Sequence, residues 1–174
     1  AELADQARRD PLTGAYNRVR LEEVLQREFD DSMRTGRPLS VAFIDLDDFK
    51  LINDRHGHLV GDEVLRRFSS TLERLLRKSD LLARYGGEEF LIVLGNCDAA
   101  TAARTLQRIL EEVSRAPLLE ADGEPVRVTF SAGIACHGDG ARFASARDLL
   151  RTADDALYGA KREGRNRISP QQPD

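Results

Sequence analysis

Two groups of carboxylates in this sequence have the type and spacing for metal-assisted phosphoryl chemistry. Asp45 closes the apolar run LSVAFIDL (39–46), and Asp47, Asp48 and Lys50 follow directly. A buried, unpaired carboxylate is costly, so its presence there asks for a reason. Glu88 and Glu89 stand at the tip of the hairpin-like stretch ARYGGEEFLIVL (83–94), where two glycines already supply the turn. Mg2+ takes one or two carboxylates together with substrate phosphate oxygens. Brought together, the two groups would suit two-metal phosphoryl transfer. Each also has a plainer account, as a strand leaving the core and as a solvated turn. Strand alternation would send Glu88 and Glu89 to opposite faces, one of them toward Asp45. Gly86 and Gly87, lacking Cβ atoms, let a phosphate or a sugar approach the backbone. Lys161 and Arg165, where the last helix stops, would supply positive charge, although basic residues there also complement a helix dipole. His56, His58 and His137 come without a cysteine pair, and a glycine-rich turn accounts for the first two better than zinc does.

The apolar spacing indicates the elements that would hold these groups. LSVAFIDL reads as a strand covered on both faces. A helix runs from Asn17 to about residue 34 with Leu21, Val24, Leu25, Phe29 and Met33 on one face, broken by Gly36-Arg37-Pro38. Residues 47–62 read as a polar, glycine-bearing segment. Val64, Leu65, Phe68, Leu72, Leu75 and Leu76 then space out a helix ending near Lys78. Hairpin strands are expected near 81–85 and 89–94. Asp98 caps a helix carrying Leu106, Ile109, Leu110 and Val113. After a turn at Gly123, VRVTFSAGIAC (126–136) alternates as one strand. Ser145 and Asp148 resemble a capping box ahead of a helix reaching Ala160, and GRNRIS (164–169) returns to a short last strand. The expected fold is α/β (α+β), with helices flanking a mostly antiparallel sheet of about five strands and hairpin-linked strands at its centre.

The 174 residues, 41% hydrophobic and 32% charged, suit one domain with a full core. A net charge of −4 gives no footprint for nucleic acid. No apolar run reaches the ~18 residues of a membrane span, and no signal peptide opens the chain. Cys97 and Cys136 are isolated and read as buried or half-buried thiols of a reducing cytoplasm. The opening AELADQARR is weakly helical up to Asp10-Pro11.

Asp10 to Arg167 resembles the GGDEF family, the diguanylate cyclases that make cyclic di-GMP from two GTP. Five motifs carry the resemblance in order: DPLTGAYNR (10–18), FIDLDDFKLINDRHGHLVGD (43–62), RYGGEEF (84–90), VTFSAGIA (128–135) and ALYGAKREGRNRI (156–168). Ala15 stands where leucine is more usual, and Glu88 replaces the aspartate of the name. The resemblance implies a palm-like nucleotide-cyclase domain over 10–169, with GGEEF on a β-hairpin, the end of a linker helix at 1–9 and a tail at 170–174. It implies that Asp45, the Leu46 carbonyl, Glu88 and Glu89 hold two Mg2+, with Mn2+ as an alternative, and that Glu88 is a candidate base. Gly86 and Gly87 would lie against the nucleotide. Lys50, Lys161, Arg165 and the amides of 47–50, Phe49 among them, would hold the triphosphate.

Asn53 and Asp62 would read guanine, whose N1–H and N2–H2 donors suit one carboxylate, whereas adenine offers only an acceptor at N1. Arg77, Asp80 and Arg108 would form an RxxD inhibitory site for the product, with an arginine fork on guanine O6 and N7. Arg77 and Asp80 also read as an ordinary helix end. The partners implied are GTP, cyclic di-GMP, a second copy of the chain and an upstream sensory or regulatory domain. The expected place is the bacterial cytoplasm, with any membrane anchor upstream. A sensor that binds GTP or cyclic di-GMP without turnover is the alternative, and a hybrid-product cyclase is disfavoured by Asp62.

Overall fold

The computed structural model describes residues 1–170 of the chain, so that only residue 170 of the expected tail falls within it. Leu39–Leu46 forms β1, and all eight of its residues are buried. It is the middle strand of a five-stranded sheet ordered β2-β3-β1-β6-β7. The others are β2 (Leu81–Arg84), β3 (Glu89–Gly95), β6 (Phe130–His137) and β7 (Ile168–Ser169). All pairings are antiparallel except β6 with β7. The mostly antiparallel five-strand sheet is the one expected, but the β2–β3 hairpin lies toward one edge, because β1 inserts between β3 and β6. A hairpin fixes which strands adjoin, not where the pair sits in the sheet.

Helices cover both faces. Ala42, Ile44 and Leu46 of β1 face α4 (His58–Leu75) and α5 (Ala99–Arg115) in a core centred on Phe68, whose ring meets Phe90 and Phe130 edge-on at 5.4 and 5.6 Å. Val41 and Phe43 face α2 (Arg18–Thr35) and α6 (Ala146–Arg162). Side chains cap these helices as read: Asn17 accepts from Arg20 N, Asp98 from Thr101 N and Ser145 from Asp148 N. At Gly133 a methyl group would overlap the α6 backbone at Ala153 and Leu157. This close approach seats α6, and with it Lys161, directly on the sheet.

Four segments differ from the sequence reading. Residues 47–62 are largely helical, as α3 (Phe49–His56) and the first turn of α4, with Gly57 at φ 88° between them. Only Phe49 of α3 is buried, too few apolar positions to mark a helix. The helix expected to reach Lys78 ends at Leu75, where Leu76 turns extended. The single strand expected at 126–136 is two, β5 (Glu124–Val126), paired with β4 (Leu119–Ala121), and β6. Alternation continues through Val128, so it conceals the break. The opening helix α1 (Glu2–Gln6) stops short of Asp10-Pro11, and Arg9 bridges back to Tyr16.

Candidate active site

Register sets Asp45 directly opposite Glu89, at the ends of β1 and β3. Cross-strand partners share a face, here the one covered by α6. Glu88 lies in the turn, off the ladder, and its carbonyl accepts the Leu46 N–H at 3.2 Å. Alternation therefore does not govern Glu88, and both glutamates act on Asp45 in place of one. Asp45 is 8% exposed, and Lys161 Nζ stands 2.8 Å from its Oδ1, yet no donor is aligned on that buried oxygen. Burial drives the Asp45 carboxyl above the usual carboxylate range; the Lys161 ammonium opposes this, and Glu88 and Asp47 add to it. Burial also raises Glu89, helped by Asp45, Asp154 and Glu88 and opposed by Lys161.

Gly86 and Gly87 do not take left-handed backbone. A Cβ on Gly86 would crowd Glu89 Oε1 at 2.5 Å, whereas one on Gly87 would meet nothing within 4 Å. The open side of Gly87 is a surface a ligand can reach.

On the other side of Asp45 the chain turns into α3 through Asp48, at φ 54°. The N–H of Asp47 is taken by Thr129 O at 3.0 Å. Among the described residues the N–H groups of Asp48, Phe49 and Lys50 have no acceptor, so the free amides begin one residue later than expected. Such a helix start favours anions. Arg165 Nε lies 3.8 Å from Asp48 Oδ1, beside these amides. Lys50 does not join the group: its side chain is 90% exposed and pairs with Asp54 at 3.6 Å. Phe49 is buried and packs toward Gly61, and a Cβ on Gly61 would overlap the Asn53 amide oxygen. Gly61 thus lets α3 and α4 close together, with Asn53 and Asp62 both half-buried at the junction.

Arg77 and Asp80 are joined. The Asp80 carboxylate, 1% exposed, accepts from the Arg77 backbone N–H at 2.8 Å and from its guanidinium at 2.8 and 3.1 Å. Asp80 therefore closes the turn after α4, and the half-exposed Arg77 side chain is the part open to solvent. Arg108 Nη2 donates to Leu75 O at 3.0 Å, at the same helix end.

The sequence reading missed Arg84. Its guanidinium donates to Gly86 O at 3.1 Å and to Gly87 O at 2.8 Å, and it pairs with Asp10 at 3.3 Å. Asp10 is held in turn by the Thr13 N–H and hydroxyl at 2.8 and 2.7 Å. One side chain thus fixes both glycine carbonyls and ties the hairpin tip to the opening DPLTG. An arginine two positions before a glycine pair was the available signal. Asp154, on the α6 face that also carries Lys161, was likewise not singled out.

An antiparallel-rich sheet with acids at the end of its central strand and at the adjoining hairpin tip is of the nucleotide-cyclase type. The family model for the diguanylate cyclase GGDEF domain matches residues 7–167, and the chain belongs to that family. Diguanylate cyclase DosC of Escherichia coli K12 is 44% identical over 162 residues, 91% of this chain and 34% of that protein. The chain thus spans about a third of that relative's length. The crystal structure of diguanylate cyclase SiaD with its activator SiaC from Pseudomonas aeruginosa superposes with a TM-score of 0.88 at 36% identity. It covers 96% of this chain and 63% of that one. The GGDEF domain of DgcB from Caulobacter crescentus in complex with c-di-GMP gives 0.86 at 36% identity, over 93% and 92%. No described helix is long and apolar enough to cross a membrane.

Proposed function

We propose that this domain condenses two GTP into cyclic di-GMP with release of two pyrophosphates. The observation that carries the reading is the buried Asp45 Oδ1, which has no aligned donor although Lys161 Nζ is 2.8 Å away, on a strand that pairs Asp45 with Glu89. An acid kept there against its desolvation cost suits a cation. Among the described residues no three His, Cys, Asp or Glu side chains already converge on one point. Hard oxygen donors nonetheless fit Mg2+ or Mn2+, which complete their shells with backbone carbonyl, water and phosphate oxygens. Asp45, the Leu46 carbonyl, Glu88 and Glu89 are the residues that would hold it, and Lys161 is the stand-in cation. When bound, two such ions would acidify the attacking 3′-hydroxyl and balance charge at the α-phosphorus.

The chain's own groups account for the rest. The free amides of Asp48, Phe49 and Lys50, with Arg165 and Lys161, would take the triphosphate, and Lys50 reaches it only by leaving Asp54. Asn53 and Asp62, at the α3–α4 junction, would take the guanine edge. Gly87 leaves room for the nucleotide at the hairpin tip. Glu88, in the turn and off the strand ladder, is the candidate to accept the proton. One chain carries one such set of groups, so two chains in two-fold opposition are needed to join two GTP. Feedback by cyclic di-GMP would act through the exposed forks of Arg77 and Arg108, with Asp80 as their support.

Asp45→Ala and Glu88→Ala test the reading. Each is expected to abolish cyclic product while circular dichroism and the melting transition persist, since neither side chain packs the core. Wild-type turnover by either variant, at equal metal and protein concentration, would remove the mechanism.

A further inference from the structure

Asp47 is the second carboxylate of the Asp-Leu-Asp run, as buried as Asp45 but with both oxygens hydrogen-bonded. It is 5% exposed and accepts three hydrogen bonds. Thr129 Oγ1 donates to its Oδ2 at 2.6 Å, Ser131 Oγ to its Oδ1 at 2.6 Å, and the Asn166 backbone N–H to Oδ2 at 2.9 Å. Hydroxyl-to-carboxylate bonds this short are the charge-assisted kind. A carboxylate has about four lone-pair sites. Three are filled here from three segments: the link into β6, β6 itself, and the turn that leaves α6.

That turn is strained. Arg165 and Asn166 both take left-handed backbone, at φ 64° and 49°, after Gly164 at φ 123°. Non-glycine residues persist there only where their surroundings over-determine them. The Arg165 N–H is held by Ala160 O at 3.1 Å, and the Arg167 carbonyl accepts from Ala132 N at 3.0 Å. Between these two anchors the Asn166 N–H donates to Asp47, its one acceptor among the described residues. Its neighbour Asp48 meets the Arg165 guanidinium at 3.8 Å. The two aspartates after β1 therefore grip opposite ends of the same residue pair, one through the backbone and the other through the side chain.

We infer that Asp47 is a positioning residue, not a metal ligand: it fixes the 164–166 turn so that Arg165 stands beside the free amides that open α3. Its hold on the turn is a property of the fold alone. What Arg165 then grips, a nucleotide phosphate, rests on the function proposed above. Asp47→Asn should preserve the hold, because an amide oxygen in the place of Oδ2 can accept from both Asn166 and Thr129, and the Ser131 hydroxyl can rotate to accept from the amide NH2. Asp47→Ala removes all three bonds at once, and Thr129→Val removes one while leaving the carboxylate in place.

Hydrogen exchange of residues 163–167 tests the hold without any ligand. Protection should survive in Asp47→Asn, weaken in Thr129→Val and vanish in Asp47→Ala; unchanged protection in both Asp47→Ala and Thr129→Val would overturn the inference. Thr129→Val decides the matter if the alanine variant does not fold. Titration with a non-hydrolysable GTP analogue in EDTA tests the consequence. Loss of supporting contacts around a site typically costs ~10–100-fold, so Asp47→Ala should bind about tenfold more weakly, and adding Arg165→Ala should weaken it little further. Fully additive losses would separate Asp47 from Arg165 and overturn the positioning role. Mg2+ titration of the nucleotide complex should give the same midpoint for Asp47→Asn and the parent protein. A large shift would make Asp47 a ligand after all. If the parent binds no analogue, the functional reading fails, and the exchange result still decides whether Asp47 holds the turn.

Discussion

Replacing Arg84 should loosen the hairpin tip and cost both stability and activity. The side chain is 18% exposed and its partner Asp10 16%, so the pair is sheltered but not fully buried. Arg84→Ala removes the guanidinium bonds to Gly86 O and Gly87 O and leaves Asp10 with only its Thr13 donors. Hydrogen bonds to a charged group contribute about 1.5–3 kcal/mol, and stranding one partner of a buried pair costs about 3–5 kcal/mol. Discounted for partial exposure, a loss of about 2–3 kcal/mol is expected. At about 2–4 °C per kcal/mol for a chain of this length, the melting temperature should fall by roughly 4–12 °C.

The effect on catalysis should be larger, since a displacement of about 1 Å in a positioning element costs up to ~10²-fold. Arg84→Lys is the sharper variant. A lysine keeps a charge for Asp10 but cannot fork to two carbonyls, so it should recover part of the stability and little of the turnover. Asp10→Ala combined with Arg84→Ala should show a coupling of about 0.5–3 kcal/mol. There is a pH signature as well. Burial pushes the Asp10 carboxyl up, but bonds from Thr13 and the Arg84 guanidinium outweigh it and leave it below the ordinary value. That contribution is present above the unfolded carboxylate pKa of about 3.9 and is lost as pH falls through the lower folded value. Thermal melts against pH and a coupled pyrophosphate assay measure all of this. Parent-like melting and turnover in Arg84→Lys, or strict additivity with Asp10→Ala, would refute the clamp.

Asp45→Asn should melt at or slightly above the metal-free parent while making no product, because burial holds the parent carboxyl above its ordinary range and its charged form opposes folding at neutral pH; a marked drop on calorimetry would contradict this. Arg77→Ala should relieve inhibition at high cyclic di-GMP, a coupling of ~1–3 kcal/mol, with little change at low product; identical inhibition curves would return Arg77 to a helix-end role. His137 is buried, its Nδ1 accepts the Phe143 N–H at 3.0 Å, and burial, then Arg142, lowers its pKa. The unfolded chain takes up that proton first, so stability should fall as pH drops below about 6.5, and His137→Gln should flatten that part of the profile.

Local signals carried the parts of the fold that depend on local pattern. The apolar run 39–46 announced a doubly covered strand, and Asn17, Asp98 and Ser145 announced helix starts that their side chains do cap. What local pattern cannot carry is which strand inserts where, and the hairpin was accordingly set at the centre of the sheet. Helix α3 escaped because Asp48, Asn53, Asp54 and His56 read as loop residues, and because its one buried side chain gives no periodicity. At the site, the acids were visible as anomalies of burial and charge. Their supports were not. Arg84 meets Asp10 from 74 positions away, and Asp47 meets Asn166 from 119. Separations of that order leave no spacing rule to read. Asp80 was read both as an acid of an inhibitory site and as part of a helix end, and its carboxylate bonds Arg77 within its own turn.

The central claim is that two GTP become cyclic di-GMP across two chains. Its most direct test incubates the purified protein with GTP and Mg2+ over a wide range of protein concentrations, with ATP in competition, and identifies the products by mass. Cyclic di-GMP with two pyrophosphates per ring, strong preference for GTP, and a rate per chain that climbs with protein concentration are expected. Bound GTP that yields neither cyclic dinucleotide nor pyrophosphate at any concentration would contradict it. So would equal consumption of ATP.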